Sequence, residues 1–195
     1  MAGPSREFPR RLVVGLGNPG PEYAETRHNV GFRVIEELAG RRRIALRSED
    51  CRARVGWDDG LFLAAPQTYM NRSGFATRCL CERHGFEPDE VLVVYDEVYL
   101  PLGTVRMRPG GSPAGHRGMA SVLESLGTDR IPRLRLGVAA AAGPPDGEVL
   151  PDFVLAAFSS DEEATVGAMI TRAAEACETW ARDGVEAAMR LNGTV

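Results

Sequence analysis

Lysine is absent from this 195-residue chain, which also has only three histidines and no long apolar run. All 23 basic residues are arginine, which we attribute to codon usage, although the planar guanidinium also suits phosphate. No apolar run approaches the ~20 residues of a membrane-spanning helix, and residues 1–10 lack the apolar core of a signal peptide. We therefore expect a cytoplasmic protein with no membrane partner.

The four cysteines form no CxxC pair, so their spacing does not indicate a metal site. We expect Cys51, Cys79, Cys81 and Cys177 to be buried or incidental thiols rather than disulfides. The net charge of −4 is unevenly distributed, because residues 1–143 carry 20 Arg and 17 acids, whereas residues 144–195 carry 3 Arg and 10 acids. The body of the chain could still present a basic face to a nucleic acid.

Apolar strands alternate with amphipathic helices, which predicts an α/β fold in which helices flank a central twisted sheet. A hairpin turn at residues 58–60 makes that sheet mixed. Ser73 is expected to cap one helix, and a capping box at residues 160–163 to begin another. We expect residues 1–10 to be a flexible leader, 11–195 a single domain, and 139–160 a loop and lid segment.

Four loops are expected to converge on one site, because ligands collect beyond the carboxyl ends of strands in open α/β sheets. These loops follow Leu16, Ala65, Tyr95 and Arg108. The first contains G-x-G-x-x-G, but prolines flank its third glycine and no helical period begins before about residue 29. In a dinucleotide-binding site that glycine begins a helix, so we exclude a dinucleotide-binding site here.

His28 is a candidate general base, with Asp96 as its partner. We place Asp96 at the end of a buried strand, where a carboxylate is costly unless it is paired. An imidazole N–H would satisfy it and leave the other ring nitrogen to take a proton from water. The alternatives remain that His28 is structural and that Asp96 caps a loop.

Other polar residues in these loops have both a binding and a structural interpretation. Asn18 and Asn71 could bind a peptide group or polarise its carbonyl, or they could stabilise turns. Tyr23 and Tyr69 could stack on a base or ribose, or close the edge of the core. Five arginines could form a phosphate-binding surface or a solvated charged face: Arg106, Arg108, Arg117, Arg133 and Arg135.

Several motifs together resemble the bacterial-type peptidyl-tRNA hydrolase family. They are GLGNPGPEYAETRHNVGF, PQTYMNRSG, VVYDEVYLPLGTVRMR, AGHRGM and RLRLGV, in the family's order across residues 12–138. DFVLAAFS, at residues 152–159, is similar to the lid of that family. The resemblance implies a monomeric esterase of phosphorylase/hydrolase-like fold, without metal or cofactor. It would cleave the ester between a peptide and the terminal ribose of tRNA, which recycles the tRNA.

The resemblance also implies roles for individual residues. His28 matches the base, Asp96 the residue that orients it, and Asn18 and Asn71 the amides that contact the peptide. The residues expected to contact tRNA or substrate are Tyr23, Tyr69, Arg106, Arg108, Arg135, His116 and Arg117. Arg117 stands where the family usually has Asn, and a guanidinium, having no acceptor, can bind a phosphate or an oxyanion but not reproduce an amide.

Two other functions fit parts of the sequence. The first is a non-catalytic RNA-binding protein that keeps the hydrolase fold, which the change at Arg117 favours. The second is a hydrolase or phosphorylase that acts on small peptides or nucleosides. The joint presence of Asn18, His28, Asn71 and Asp96 favours the tRNA enzyme, because binding alone needs no base.

Overall fold

The computed structural model describes residues 10–140, 143 and 149–192. Within them, seven strands form one sheet in the order β2-β3-β4-β1-β5-β7-β6. The strands are β1 Leu12–Gly15, β2 Ser48–Asp50, β3 Ala53–Trp57, β4 Phe62–Pro66, β5 Val91–Pro101, β6 Val105–Arg108 and β7 Arg133–Ala139. The helices are α1 Val30–Arg42, α2 Ser73–His84, α3 Arg117–Leu126, α4 Leu150–Val154, α5 Glu163–Asp183 and α6 Val185–Asn192.

The sheet is mixed, which confirms the predicted α/β class. Strands β4, β1, β5 and β7 are parallel, whereas the β2-β3-β4 meander and the β6–β7 pair are antiparallel. The edge strand β2 was not predicted, because its residues are polar and largely exposed. Residues 1–9 of the predicted leader, and 141, 142 and 144–148 of the predicted loop and lid, lie outside the described residues.

Helices cover both faces of the sheet, so the central strands are continuous apolar runs. Val13 packs with α1, α5 and α6 in one core, whereas Leu12 and Val14 pack with α2 and α3 in the other. Helix α1 approaches β1 so closely that a Cβ on Gly15 would lie 2.3 Å from the carbonyl oxygen of Gly31. None of the described helices is both long and apolar enough to cross a bilayer.

Two predicted helix caps are wrong. Ser73 is the first residue of α2, and its hydroxyl donates to the carbonyl of Met70 at 2.9 Å rather than capping the helix. Ser160 precedes α5 without capping it, since the helix begins at Glu163 and the Glu162 carboxylate accepts from the backbone N–H of Ser159. For α2, a 3-10 turn leads directly into the helix and its backbone bonds replace the expected side-chain cap.

One disulfide, Cys51–Cys79, corrects the expectation that all four cysteines are unpaired. The two residues are 28 positions apart and meet only because the β2–β3 turn packs against α2. Cys81 and Cys177 are buried free thiols, as expected. Burial raises the pKa of Cys81 to about 12, so this thiol is unreactive at neutral pH.

Candidate active site

A cavity of about 370 Å³ opens beyond the carboxyl ends of the parallel strands. The structure brings three of the predicted loops to it, together with β5 itself. Its wall includes Asn18, His28, Tyr69, Met70, Asn71, Asp96, Glu97, Val98, Tyr99, Ala114, Gly115, His116, Arg117, Leu150, Pro151, Val154 and Leu155. The predicted convergence at this edge of the sheet is therefore observed.

Asp96 lies within β5 and not at its end, which corrects the predicted boundary. The strand continues to Pro101 because β7 pairs with it beyond Asp96, with a register irregularity between Glu97 and Pro101. The Asp96 side chain is only 1% exposed. A carboxylate at this position requires hydrogen-bond donors, and two histidines provide them.

His28 Nδ1 donates to Asp96 Oδ1 at 2.8 Å. The ring lies in a 3-10 turn, Arg27–Asn29, directly before α1, and it is 14% exposed. With Nδ1–H held by Asp96, the neutral ring presents Nε2 as its proton acceptor. This is the geometry that a general base requires.

His116 donates from Nε2 to the same Asp96 oxygen at 2.9 Å. Its Nδ1 accepts from the backbone N–H of Met119 at 3.1 Å, as the N-cap of α3. The hydrogen bonds at its two ring nitrogens fix the orientation of the His116 ring, with Nε2 as the donor and Nδ1 as the acceptor. The sequence predicted His116 as a substrate contact, and in the structure it lines the cavity while it joins Asp96 to the start of α3.

Asp96 and its histidine partners shift one another's pKa values in opposite directions. Burial lowers the pKa of His28, but the charge and hydrogen bond of Asp96 outweigh it, so the pKa is raised above the usual 6.5. Arg117 opposes this rise. Burial raises the pKa of Asp96, but His28 and His116 outweigh it and hold that pKa well below its usual range. Asp96 is therefore ionised at neutral pH.

The same three side chains form the one metal-compatible cluster of the described residues. The ligand atoms of His28, Asp96 and His116 lie within 4.8 Å of one another. Imidazole and carboxylate are ligands that suit Zn²⁺. The two ring N–H groups already satisfy the carboxylate, so hydrogen bonding alone accounts for the cluster.

Asn18 is buried and hydrogen-bonded to neighbouring loops, whereas Asn71 is exposed. Asn18 Oδ1 accepts from the backbone N–H of Met70 at 2.8 Å, while Asn29 bonds both its backbone N–H and its carbonyl. Asn18 thus joins the first loop to the second and offers its NH₂ group to a ligand. Asn71 is exposed at the cavity wall. Asn29 was missed because its role depends entirely on contacts across the loop.

The predicted tyrosines and arginines are distributed over several surfaces. Tyr69 is 61% exposed at the cavity, whereas Tyr23 is half-buried in a 3-10 turn and does not line the cavity. Arg106 and Arg108 are exposed on one face of β6, and Arg135, opposite Arg106, binds Glu97 at 2.6 Å.

Arg133 does not belong to a phosphate-binding surface, which corrects its inclusion among the candidates. It is 1% exposed, and its guanidinium donates to three backbone carbonyls, those of Ile131, Ser112 and Asp129. The alternation of arginines along β7 did not reveal this role, because the carbonyls come from two loops. Arg133 instead fixes the loops around the amino end of its own strand.

Arg27, next to His28, was missed as a site residue. Its guanidinium lies 4.6 Å from the ring centroids of both Phe153 and Phe158, and it forms a bidentate bond with Glu162. Phe153 belongs to α4, whose other residues form one wall of the cavity. Arg27 therefore attaches this wall to the turn that carries His28. In the sequence, the only indication of this role was the position of Arg27 beside His28.

Comparison with known proteins agrees with the geometry. A family profile described as Peptidyl-tRNA hydrolase matches residues 12–194. The chain is 43% identical over 180 residues to the Peptidyl-tRNA hydrolase of Methylacidiphilum infernorum (isolate V4), covering 91% of this chain and 95% of that protein. It is 44% identical over 183 residues to that of Syntrophomonas wolfei subsp. wolfei (strain DSM 2245B / Goettingen), covering 92% and 97%. The crystal structure of peptidyl-tRNA hydrolase from Acinetobacter baumannii has a TM-score of 0.87 at 30% identity, covering 98% of this chain and 97% of that one. This chain belongs to the peptidyl-tRNA hydrolase family.

Proposed function

We propose that this chain hydrolyses the ester between a peptide and the 3′-terminal ribose of tRNA, with His28 as the general base. The observation that carries the proposal is the buried Asp96 carboxylate, which accepts from two histidines and leaves Nε2 of His28 as the proton acceptor. Membership of the family supplies the reaction, since its members are named for peptidyl-tRNA hydrolysis.

In this mechanism His28 Nε2 takes a proton from a water molecule, and the resulting hydroxide attacks the ester carbonyl. Asp96 holds the ring in the required tautomer and stabilises the imidazolium that forms. The Asn71 amide and backbone N–H groups at the cavity wall would stabilise the oxyanion. The intermediate then collapses, and the proton on His28 passes to the ribose oxygen as tRNA leaves.

The two parts of the substrate would contact different residues. The NH₂ group of Asn18 and the amide of Asn71 are proposed to bind the peptide, and exposed Tyr69 to stack on the terminal nucleoside. Arg117 at the cavity wall could bind the nearest phosphate. More distant tRNA contacts are assigned to Tyr23, Arg106, Arg108 and Arg135. His116 lines the cavity and is proposed to contact the substrate there.

The decisive experiment compares release of tRNA from N-acetyl-aminoacyl-tRNA and from free aminoacyl-tRNA. We expect release from the blocked substrate alone, and we expect the active protein to be a monomer. Release should be equally fast in EDTA, because hydrogen bonds alone account for the His28–Asp96–His116 cluster. Loss of activity in EDTA, restored by Zn²⁺, would contradict the metal-free mechanism. Binding of tRNA without cleavage of either substrate would favour the non-catalytic RNA-binding protein. We further propose a cytoplasmic location, where the substrate is formed.

Replacing Arg117 with asparagine is expected to move the acid limb of the pH profile of kcat/KM to higher pH. A general base must be neutral, and Arg117 lowers the pKa of His28 against the opposing charge of Asp96, the carboxylate that also binds His116. Removing the guanidinium therefore raises that pKa further. Arg117→Lys, which keeps the charge, is the matched control, and an unchanged limb in Arg117→Asn would show that Arg117 does not act on His28.

A further inference from the structure

An exposed aromatic ring on α2 lies among arginines close to the cavity. We define the α2 surface as Arg52, Arg72, Phe75 and Arg78. Phe75 is 56% exposed, and all three arginines are exposed. Residues 75 and 78 lie on one side of α2, and residue 72 precedes them by one turn in the 3-10 turn that leads into the helix, so the three span roughly 9 Å.

Arg52 reaches these residues from the turn between β2 and β3. Its guanidinium carbon lies 5.5 Å from the centroid of the Phe75 ring. Cys51 and Arg52 have φ angles of 50° and 59°, as in a type I′ turn, where glycine or asparagine is usual. The Cys51–Cys79 disulfide ties this turn to α2. The disulfide thus helps to hold Arg52 beside Phe75, although the backbone conformation of the turn is otherwise unfavourable for these residue types.

The charge of the α2 surface is complementary to a polyanion. Of its three guanidiniums, the described ion pairs include only that of Arg78, with Glu82 at 3.1 Å. Both partners of that pair are exposed, so solvent screens it and a phosphate can compete for the guanidinium. An exposed aromatic ring with cationic side chains near it is an arrangement that binds single-stranded nucleic acid. The ring stacks on a base and the cations contact phosphates.

The α2 surface begins next to the cavity wall in the chain. Tyr69 and Asn71 line the cavity, and Arg72 follows them directly in the chain. On this arrangement, a strand whose terminal ribose lies at His28 would run past Tyr69 towards Arg72 and Phe75. We propose that the α2 surface binds the single-stranded 3′ end of tRNA next to the ester that is cleaved. This inference rests on the proposed function, and it adds Arg52, Arg72, Phe75 and Arg78 to the substrate contacts.

The test measures binding of a short single-stranded RNA with the sequence of a tRNA 3′ end, and of uncharged tRNA. Phe75→Ala should raise the Kd of both about tenfold through lost stacking, whereas Phe75→Tyr, which keeps a ring, should bind as the native protein does. Arg52→Ala should reduce the slope of log K against log salt by about one. Arg182→Ala is the matched control, because it removes an exposed arginine from α5 on the other face of the sheet.

Turnover separates this proposal from the proposed function. Phe75→Ala should raise the KM for N-acetyl-aminoacyl-tRNA with little change in kcat, and it should cleave an N-acetyl-aminoacyl ester of adenosine as the native protein does. Native Kd values in Phe75→Ala, or an equal loss in Arg182→Ala, would overturn the α2 surface as an RNA site. Binding of an acidic protein, but not of RNA, would overturn it too. Failure of the native protein to cleave N-acetyl-aminoacyl-tRNA, with the Kd pattern intact, would instead refute the proposed function.

Discussion

His28→Ala is expected to reduce kcat about 10²–10⁴-fold, the usual contribution of a positioned general base. The change removes the nitrogen that takes the proton from water. The Kd for uncharged tRNA should stay close to native, because the ring is largely enclosed and the exposed arginines remain. Single-turnover cleavage of N-acetyl-aminoacyl-tRNA and tRNA binding, measured on the same preparation, check both parts of this expectation.

His84 provides a matched control for His28. It also pairs with a carboxylate, since its Nε2 lies 2.7 Å from Asp50 Oδ2, but it lies at the end of α2 and does not line the cavity. His84→Gln should therefore leave kcat unchanged. If His28→Ala cleaved at the native rate, or if both variants lost kcat equally, His28 would not be the base.

Asp96→Asn is expected to reduce kcat/KM by as much as ~10⁴-fold while the cavity keeps its shape. An amide of the same size cannot stabilise the imidazolium, and its NH₂ group favours the wrong tautomer of His28. The remaining activity should show an acid limb at lower pH than in the native protein, because Asp96 is what raises the pKa of His28. The pH profile of kcat/KM measures both effects.

The same pair should make stability depend on pH. The pKa of Asp96 is depressed on folding, so its contribution is present above the unfolded value of ~3.9 and is lost as the pH falls through the folded value. The pKa of His28 is raised, so its contribution is complete below 6.5 and is lost as the pH rises through the folded value. Urea unfolding should therefore show the largest difference between native and Asp96→Asn protein at mildly acidic pH. Equal pH dependence in the two proteins would contradict the ion pair.

Local pattern was a sound guide where burial and turn chemistry decide the structure. The hairpin at residues 58–60, the buried strand that begins at Val91 and the amphipathic helix after His28 were all predictable, because each depends on neighbours in the chain. Strand β2 was not, since a polar edge strand is defined by its partner rather than by its own apolar pattern. The caps of α2 and α5 failed for a similar reason, because nearby backbone and carboxylate groups replaced the expected serines.

The sequence by itself determined the α/β class, the family and some of the residues that line the cavity, among them Asn18, His28, Asn71 and Asp96. The spacing of apolar residues indicates which positions are buried, and the order of the motifs can be read directly from the sequence. Only the tertiary structure decided the partners of those residues. In the folded chain His116 donates to Asp96, and the buried Arg133 donates to loop carbonyls. Arg27 contacts Phe153 of α4, and Cys51 forms a disulfide with Cys79. Each of these contacts joins segments distant in the chain, and hydrogen bonds and ring contacts depend on ångström-scale distances that no spacing in the sequence encodes.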